Sequence, residues 1–240
     1  MSPTPDNASP GAGHSAWSPA RAPLLAVLPL GLGLLALAAL VAFLTRRPDI
    51  HPDLLFTDVS DFADHVKYPQ PYIGLLSQLG LVFWFSGGSF CLLAALIVAD
   101  SRHARGRAAH LLTWSAAVFV LGLDDMLLLH EHKLVVYLGL PEPASIGLYL
   151  VGFLLLVGAT WRELRAHEFP LFATFTLLLL GSELVDVFRP DGEAQLLETR
   201  PVYTVLEEGL KLLGQIALWT YCLRLSASAL LDHRDAGGGG

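Results

Sequence analysis

One short segment near the middle of the chain combines acids and histidines with apolar residues. Asp124 and Asp125 lie inside an otherwise apolar run, and His130 and Glu131 follow at its end. Carboxylates and imidazoles act as general acids and bases and also bind metals. Because an ionisable group in an apolar run is costly unless it has a partner or a function, these four residues are the first candidates for a site.

Two later apolar runs also carry charges. Glu183 and Asp186 lie three residues apart in one of them, and Glu207, Glu208 and Lys211 lie in the last. Residues three or four apart are neighbours on a helix surface, so Lys211 can pair with either Glu207 or Glu208. The spacing therefore predicts that the acids of each run lie on one side of the helix that it forms.

The charge balance of these runs limits the chemistry. Six carboxylates face one lysine within the apolar runs, so most of them must be protonated, hydrated or neutralised by a bound cation. Acids with histidine suit zinc, iron or manganese, and carboxylates alone suit calcium. The candidate metal ligands are Asp124, His130, Glu131, Glu183, Asp186 and Glu207.

The elements that must position these residues are long apolar segments. The chain has 240 residues, of which 53% are hydrophobic and 15% charged, whereas soluble domains carry about 25% charged residues. Runs of about 20 apolar residues predict membrane-spanning helices. The predicted spans are about 22–44, 72–99, 109–130, 145–161, 169–188 and 202–224.

The sequence thus predicts an all-α integral membrane protein with a six-transmembrane-helix bundle. Residues 22–226 form the membrane domain, residues 1–21 are expected to be a disordered tail, and residues 227–240 a flexible one. Lys and Arg concentrate in the 2–3 loop, the 4–5 loop and the C-terminal tail, which places both termini in the cytoplasm and the protein in the cell membrane. Arg46 and Arg47 in the first loop oppose this orientation.

Depth along the predicted helices brings the charges together. Asp124 and Glu183 each come five or six residues before an outer helix end, and Glu207 comes five after one. At 1.5 Å per residue, all three lie roughly 8 Å below the external boundary. We therefore expect a polar site between helices 3, 5 and 6, near the external side.

The leading functional hypothesis is a metal-dependent intramembrane hydrolase that acts on a lipid or lipid-linked substrate. Asp125 and Glu208 are candidate catalytic carboxylates, one serving as general base to a metal-bound water, and Lys211 is a candidate to stabilise negative charge. In the types of polar residue within its apolar runs, the chain resembles the intramembrane hydrolases of the alkaline ceramidase type. It has six predicted spans rather than seven, and its last helix lacks a His-x-x-x-His pair.

Two other classes remain open. Carboxylates inside a bundle also form proton relays and cation sites, which suits a proton- or cation-coupled transporter. A non-catalytic membrane subunit or sensor could use the same polar core to bind a partner helix. The expected partner of the chain is membrane lipid. The net charge of −7 argues against nucleic acid as a partner. The oligomeric state does not follow from the sequence.

Overall fold

The protein is all-helical in the part that the structure describes. The computed structural model describes residues 22–44, 46, 55, 74–100, 104–127, 139, 142–166, 168–188 and 193–237. The helices are α1 (Ala22–Leu44), α2 (Leu75–Val98), α3 (Arg105–Leu127), α4 (Glu142–Ala166), α5 (Phe169–Val187) and α6 (Glu193–Gly237). The prediction of an all-α fold is confirmed for the described residues, which form six helices, and four of these could span a membrane. The expected N-terminal tail lies outside the described residues.

Four of these helices are long and apolar enough to cross a membrane. They are α2, α3, the Gly147–Arg165 part of α4, and α5. In α1 the described apolar stretch is the shorter segment Val27–Phe43. Length and composition therefore agree with a membrane protein, because each of the four can cover the ~30 Å hydrocarbon core of a bilayer.

The last helix is longer than the sequence predicted. It has 45 residues and begins at Glu193, so that Pro201 lies inside it rather than at its start. The residues before Pro201 include Ala, Leu, Glu and Gln, which are strong helix formers and extend the helix backwards. At the other end the helix continues through residues 227–237, which we expected to be a flexible tail.

Contacts with α3 and α5 account for part of this extension. Arg107 of α3 is paired with Asp232 and donates a hydrogen bond to Ser228. Arg224 lies 2.5 Å from Glu168, which immediately precedes α5. These contacts lie at the end of the bundle where α2 ends and α3 begins, here called the inner end. They hold the last turns of α6 against its neighbours.

Helix α6 is the central element of the bundle. It packs extensively against α2 and α5 and also contacts α1, while α2 packs extensively against α3. The face of α2 that is buried in these contacts consists largely of glycine, alanine and cysteine. Small residues let helix backbones approach closely, which is a common way for helices to pack in a membrane.

Helix α4 is attached differently from the others. It has far fewer contacts with α3 and α5 than α6 has with its neighbours. Leu164 is fully buried near its inner end, whereas Leu148, Val151 and Leu155 are more than half exposed. The helix is thus anchored mainly at its inner end and presents an apolar surface outward.

Candidate polar site around Asp124 and Asp125

Asp125 is bound by side chains from two other helices. Its Oδ1 lies 2.6 Å from the Nζ of Lys211 on α6. Its Oδ2 accepts hydrogen bonds from the Nε1 of Trp84 on α2 at 3.0 Å and from the Nε2 of Gln215 on α6 at 3.2 Å. Both carboxylate oxygens are therefore engaged, and the negative charge faces a lysine.

Local sequence explains how these donors meet. Lys211 and Gln215 are four residues apart, so they lie on the same face of α6. A methyl group on Gly80 of α2 would come within 2.4 Å of the Gln215 amide, and one on Gly122 of α3 would come within 2.9 Å of the Cβ of Trp84. The two glycines therefore provide the space that lets Gln215 and Trp84 reach the carboxylate.

Asp124 is directed to a different helix. Its side chain is 7% exposed, and its Oδ1 accepts a hydrogen bond from the hydroxyl of Tyr149 on α4 at 2.5 Å. Successive residues on a helix point about 100° apart, which follows from 3.6 residues per turn. The two adjacent aspartates therefore connect α3 to α4 on one side and to α2 and α6 on the other.

An aromatic layer lies on the inner side of this polar cluster. The rings of Trp84 and Phe175 meet edge to face with centroids 6.3 Å apart, and those of Phe172 and Phe175 are 6.1 Å apart. Phe153 of α4 stacks on Phe172 at 6.0 Å. Trp84, Phe172 and Phe175 are at most 5% exposed. The aromatic layer thus runs from Trp84, beside Asp125, to Phe172 near the start of α5.

The remaining candidates are placed less centrally. Glu183 and Asp186 are exposed on α5, while Glu207 and Glu208 are half-buried on α6. The hydroxyl of Ser182 on α5 donates to the backbone carbonyl of Glu207 at 2.9 Å. His130 and Glu131 lie outside the described residues. Of the predicted set, the structure thus brings together Asp125 and Lys211, a pair that helical spacing alone did not suggest.

The predicted metal site finds little support in the described part of the chain. No group of three or more His, Cys, Asp or Glu side chains there is arranged to hold a metal ion. Asp125 faces the ammonium group of Lys211, which would repel a second cation. A site built on Asp124 therefore needs the two candidates outside the described residues, His130 and Glu131.

Sequence reasoning missed Trp84 and Tyr149. Both lie on apolar helices without charged residues near them, so a search for charges passes over them. Their residue types could have identified them, because a buried tryptophan or tyrosine usually has a hydrogen-bond partner for its polar N–H or O–H group. Gln215 was visible as part of a polar stripe with Glu208 and Lys211, but its partner was not.

Comparison with known proteins identifies a family but no activity. A family model described as a domain of unknown function (DUF8692) matches residues 27–225. A search of curated proteins and a search of solved structures each found no match.

Proposed function

Because the chain belongs to the DUF8692 family, whose description names no activity, we propose a function from the geometry of the chain itself. We propose that it is a multi-pass protein of the cell membrane with both termini in the cytoplasm. We further propose that it is an intramembrane enzyme, a hydrolase that acts on a lipid or lipid-linked substrate. Four helices that are long and apolar enough to span a bilayer support the membrane location.

The observation that carries the enzymatic proposal is that two adjacent carboxylates lie beside a lysine and a tyrosine. Asp125 contacts Lys211 and two N–H donors, and Asp124 accepts a hydrogen bond from the hydroxyl of Tyr149. Carboxylate, tyrosine and lysine side chains all transfer protons in general acid–base catalysis. Asp124 and Tyr149 are the proposed proton-transfer pair, and Asp125 is a positioning residue that holds Lys211.

Lys211 gives the site an electrostatic role in this scheme. Hydrolysis of an ester or amide develops negative charge on the carbonyl oxygen, and a fixed cation in an apolar site stabilises that charge strongly. The side chain of Lys211 is 27% exposed, so it is accessible beyond its contact with Asp125. Glu208, half-buried one turn earlier on α6, remains a second proposed general base.

The packing of the bundle favours substrate access to the polar cluster from the outer end of the bundle and from the bilayer. The buried rings of Trp84, Phe172 and Phe175 make the interior next to the polar cluster apolar, which favours an enzyme over a polar transport route. The lightly attached α4 exposes an apolar surface beside Tyr149. A lipid that approaches along α4 would meet Tyr149 first and the buried Asp124 behind it.

A bound metal is a separate part of the proposal. Zinc, iron, manganese or calcium would need Asp124 together with His130 and Glu131, since Glu183 and Asp186 are exposed on α5. Elemental analysis of the purified protein tests this directly. Metal at a fixed stoichiometry that is lost in Asp124→Ala supports a metallohydrolase, and a metal-free active protein restricts the mechanism to the side chains.

The enzymatic proposal is tested with purified protein in liposomes made from a polar lipid extract. Mass spectrometry should detect a time-dependent loss of one lipid class and the matching cleavage product. Asp124→Asn and Lys211→Met should each lower the rate by at least about 100-fold, the usual scale for removing an acid–base or charge-stabilising group. Ser89→Ala is the control, because Ser89 is exposed and bonds only the backbone of its own helix in the described contacts. Equal rates in Asp124→Asn and wild type would rule out the assigned role.

A non-catalytic membrane subunit is the second candidate. The engagement of both Asp125 oxygens favours it, because an ion pair between helices can serve to fix helix register alone. Copurification of a stoichiometric membrane partner that is lost in Tyr149→Phe, with no lipid cleavage in wild type, would support this alternative.

A further inference from the structure

A second group of buried polar side chains packs against Phe172 of the aromatic layer. Trp114 of α3 is 1% exposed and Tyr221 of α6 is not exposed at all. Their rings meet edge to face with centroids 5.3 Å apart. Among the described residues, neither the Nε1 of Trp114 nor the hydroxyl of Tyr221 has a hydrogen-bond partner.

Two adjacent polar groups without partners call for a physical explanation. Burying a donor without an acceptor is unfavourable, so native proteins rarely leave such groups unmatched. Phe172 packs against both rings, with centroids 5.4 Å from Trp114 and 6.2 Å from Tyr221. The surroundings are thus apolar on that side, and no described protein group relieves the cost.

We propose that this region is a hydration site in which one or two enclosed water molecules bind the Trp114 indole and the Tyr221 hydroxyl. The indole N–H can only donate, so its ligand must be a hydrogen-bond acceptor. Both side chains are buried, so the ligand must be small. Enclosed waters that satisfy otherwise unmatched groups are a regular part of protein interiors.

The neighbouring residues provide further polar contacts for such water. His110, one turn before Trp114 on α3, is 5% exposed and lies with its ring 6.4 Å from that of Trp114. Arg224, paired with Glu168, follows Tyr221 by three residues on α6 and so lies on the same side of that helix. Both residues add polar side chains to the surroundings of Trp114 and Tyr221. This inference does not depend on the proposed hydrolase activity.

The direction of the Tm change in the Tyr221→Phe variant tests the proposal. If water binds the hydroxyl, Tyr221→Phe removes a satisfied hydrogen bond and lowers the Tm by about 2–4 °C. If the hydroxyl is buried without a ligand, the same substitution removes an unfavourable group, and the Tm stays the same or rises. Tyr203→Phe, on the same helix but outside this group, controls for the general effect of losing a tyrosine hydroxyl. An unchanged or higher Tm in Tyr221→Phe overturns the proposal.

A second measurement detects the water itself. In protein labelled with 15N-tryptophan and held in lipid bilayers, magnetisation transferred from water should reach the indole N–H of Trp114. Trp114→Phe identifies that signal among the five tryptophans of the chain. Transfer that is present in wild type and weakened in Tyr221→Phe supports a shared hydration site. A Trp114 signal without transfer from water shows that the region is dry.

Discussion

The ammonium group of Lys211 lies 2.6 Å from the carboxylate of Asp125 and joins α6 to α3. Removing one member of a largely buried pair leaves the other charge without compensation, which costs about 3–5 kcal/mol. Lys211→Met and Asp125→Asn should each lower the free energy of unfolding by about that amount. The double variant should lose less than the two single losses combined, because neither charge is then left alone. Thermal and denaturant unfolding in detergent measure this.

An exposed ion pair supplies the matched control. Arg234 and Asp235 lie 3.5 Å apart near the end of α6, and both side chains are more than half exposed. Solvent screens such a pair, so Arg234→Ala should change stability by less than about 1 kcal/mol. Comparable losses in Arg234→Ala and Lys211→Met would contradict the buried placement of the Asp125 pair.

The contact between Tyr149 and Asp124 predicts a selective effect on α4. Tyr149→Phe removes the hydroxyl donor and leaves a buried carboxylate with one bond fewer, which should cost about 1–3 kcal/mol. Because α4 has few other contacts, its outer part should also become more open to hydrogen exchange. Exchange measured by mass spectrometry should rise around residue 149 and stay unchanged in α2. A uniform rise across all helices would indicate general destabilisation instead.

The glycine contacts predict that one methyl group disturbs the site. In Gly122→Ala the new Cβ would lie 2.9 Å from the Cβ of Trp84, an atom that cannot move without shifting the indole. Such overpacking typically costs about 1–3 kcal/mol. Gly152→Ala on the exposed face of α4 meets no atom within 4 Å and should be neutral or slightly stabilising. Equal stability of the two variants would mean that α2 and α3 are less closely packed here.

Membrane topology can be tested by labelling single cysteines. The native Cys91 and Cys222 are buried, so they should react little with a membrane-impermeant maleimide in folded protein. Ala144→Cys, exposed at the start of α4, should be labelled in intact cells, and Asp100→Cys, exposed after α2, only after permeabilisation. The basic loop between α2 and α3 motivates this orientation. The reverse pattern would invert the proposed topology, and labelling of both sites in intact cells would argue against α3 crossing the membrane.

The sequence predicted the helices well and the site only in part. Long apolar runs define where helices form, and the described ranges of the chain contain six helices. Helical spacing also identified Asp125 and Lys211, but it describes one helix at a time. Which residues meet depends on how each helix is rotated in the bundle, and α5 is rotated so that Glu183 and Asp186 are exposed. Trp84 and Tyr149 were missed because the search was for charged residues, and the polar groups of tryptophan and tyrosine are uncharged.

The unbroken length of α6 has a mechanical consequence. Its 45 residues extend for about 68 Å, roughly twice the thickness of a bilayer core. Lys211 holds it at the polar cluster, and Asp232, about 30 Å farther along, is held by Arg107. Both contacts lie on one continuous helix, so a tilt of α6 at Lys211 would also move Asp232. We therefore expect binding at the polar cluster to change the contact between Arg107 and Asp232 at the inner end.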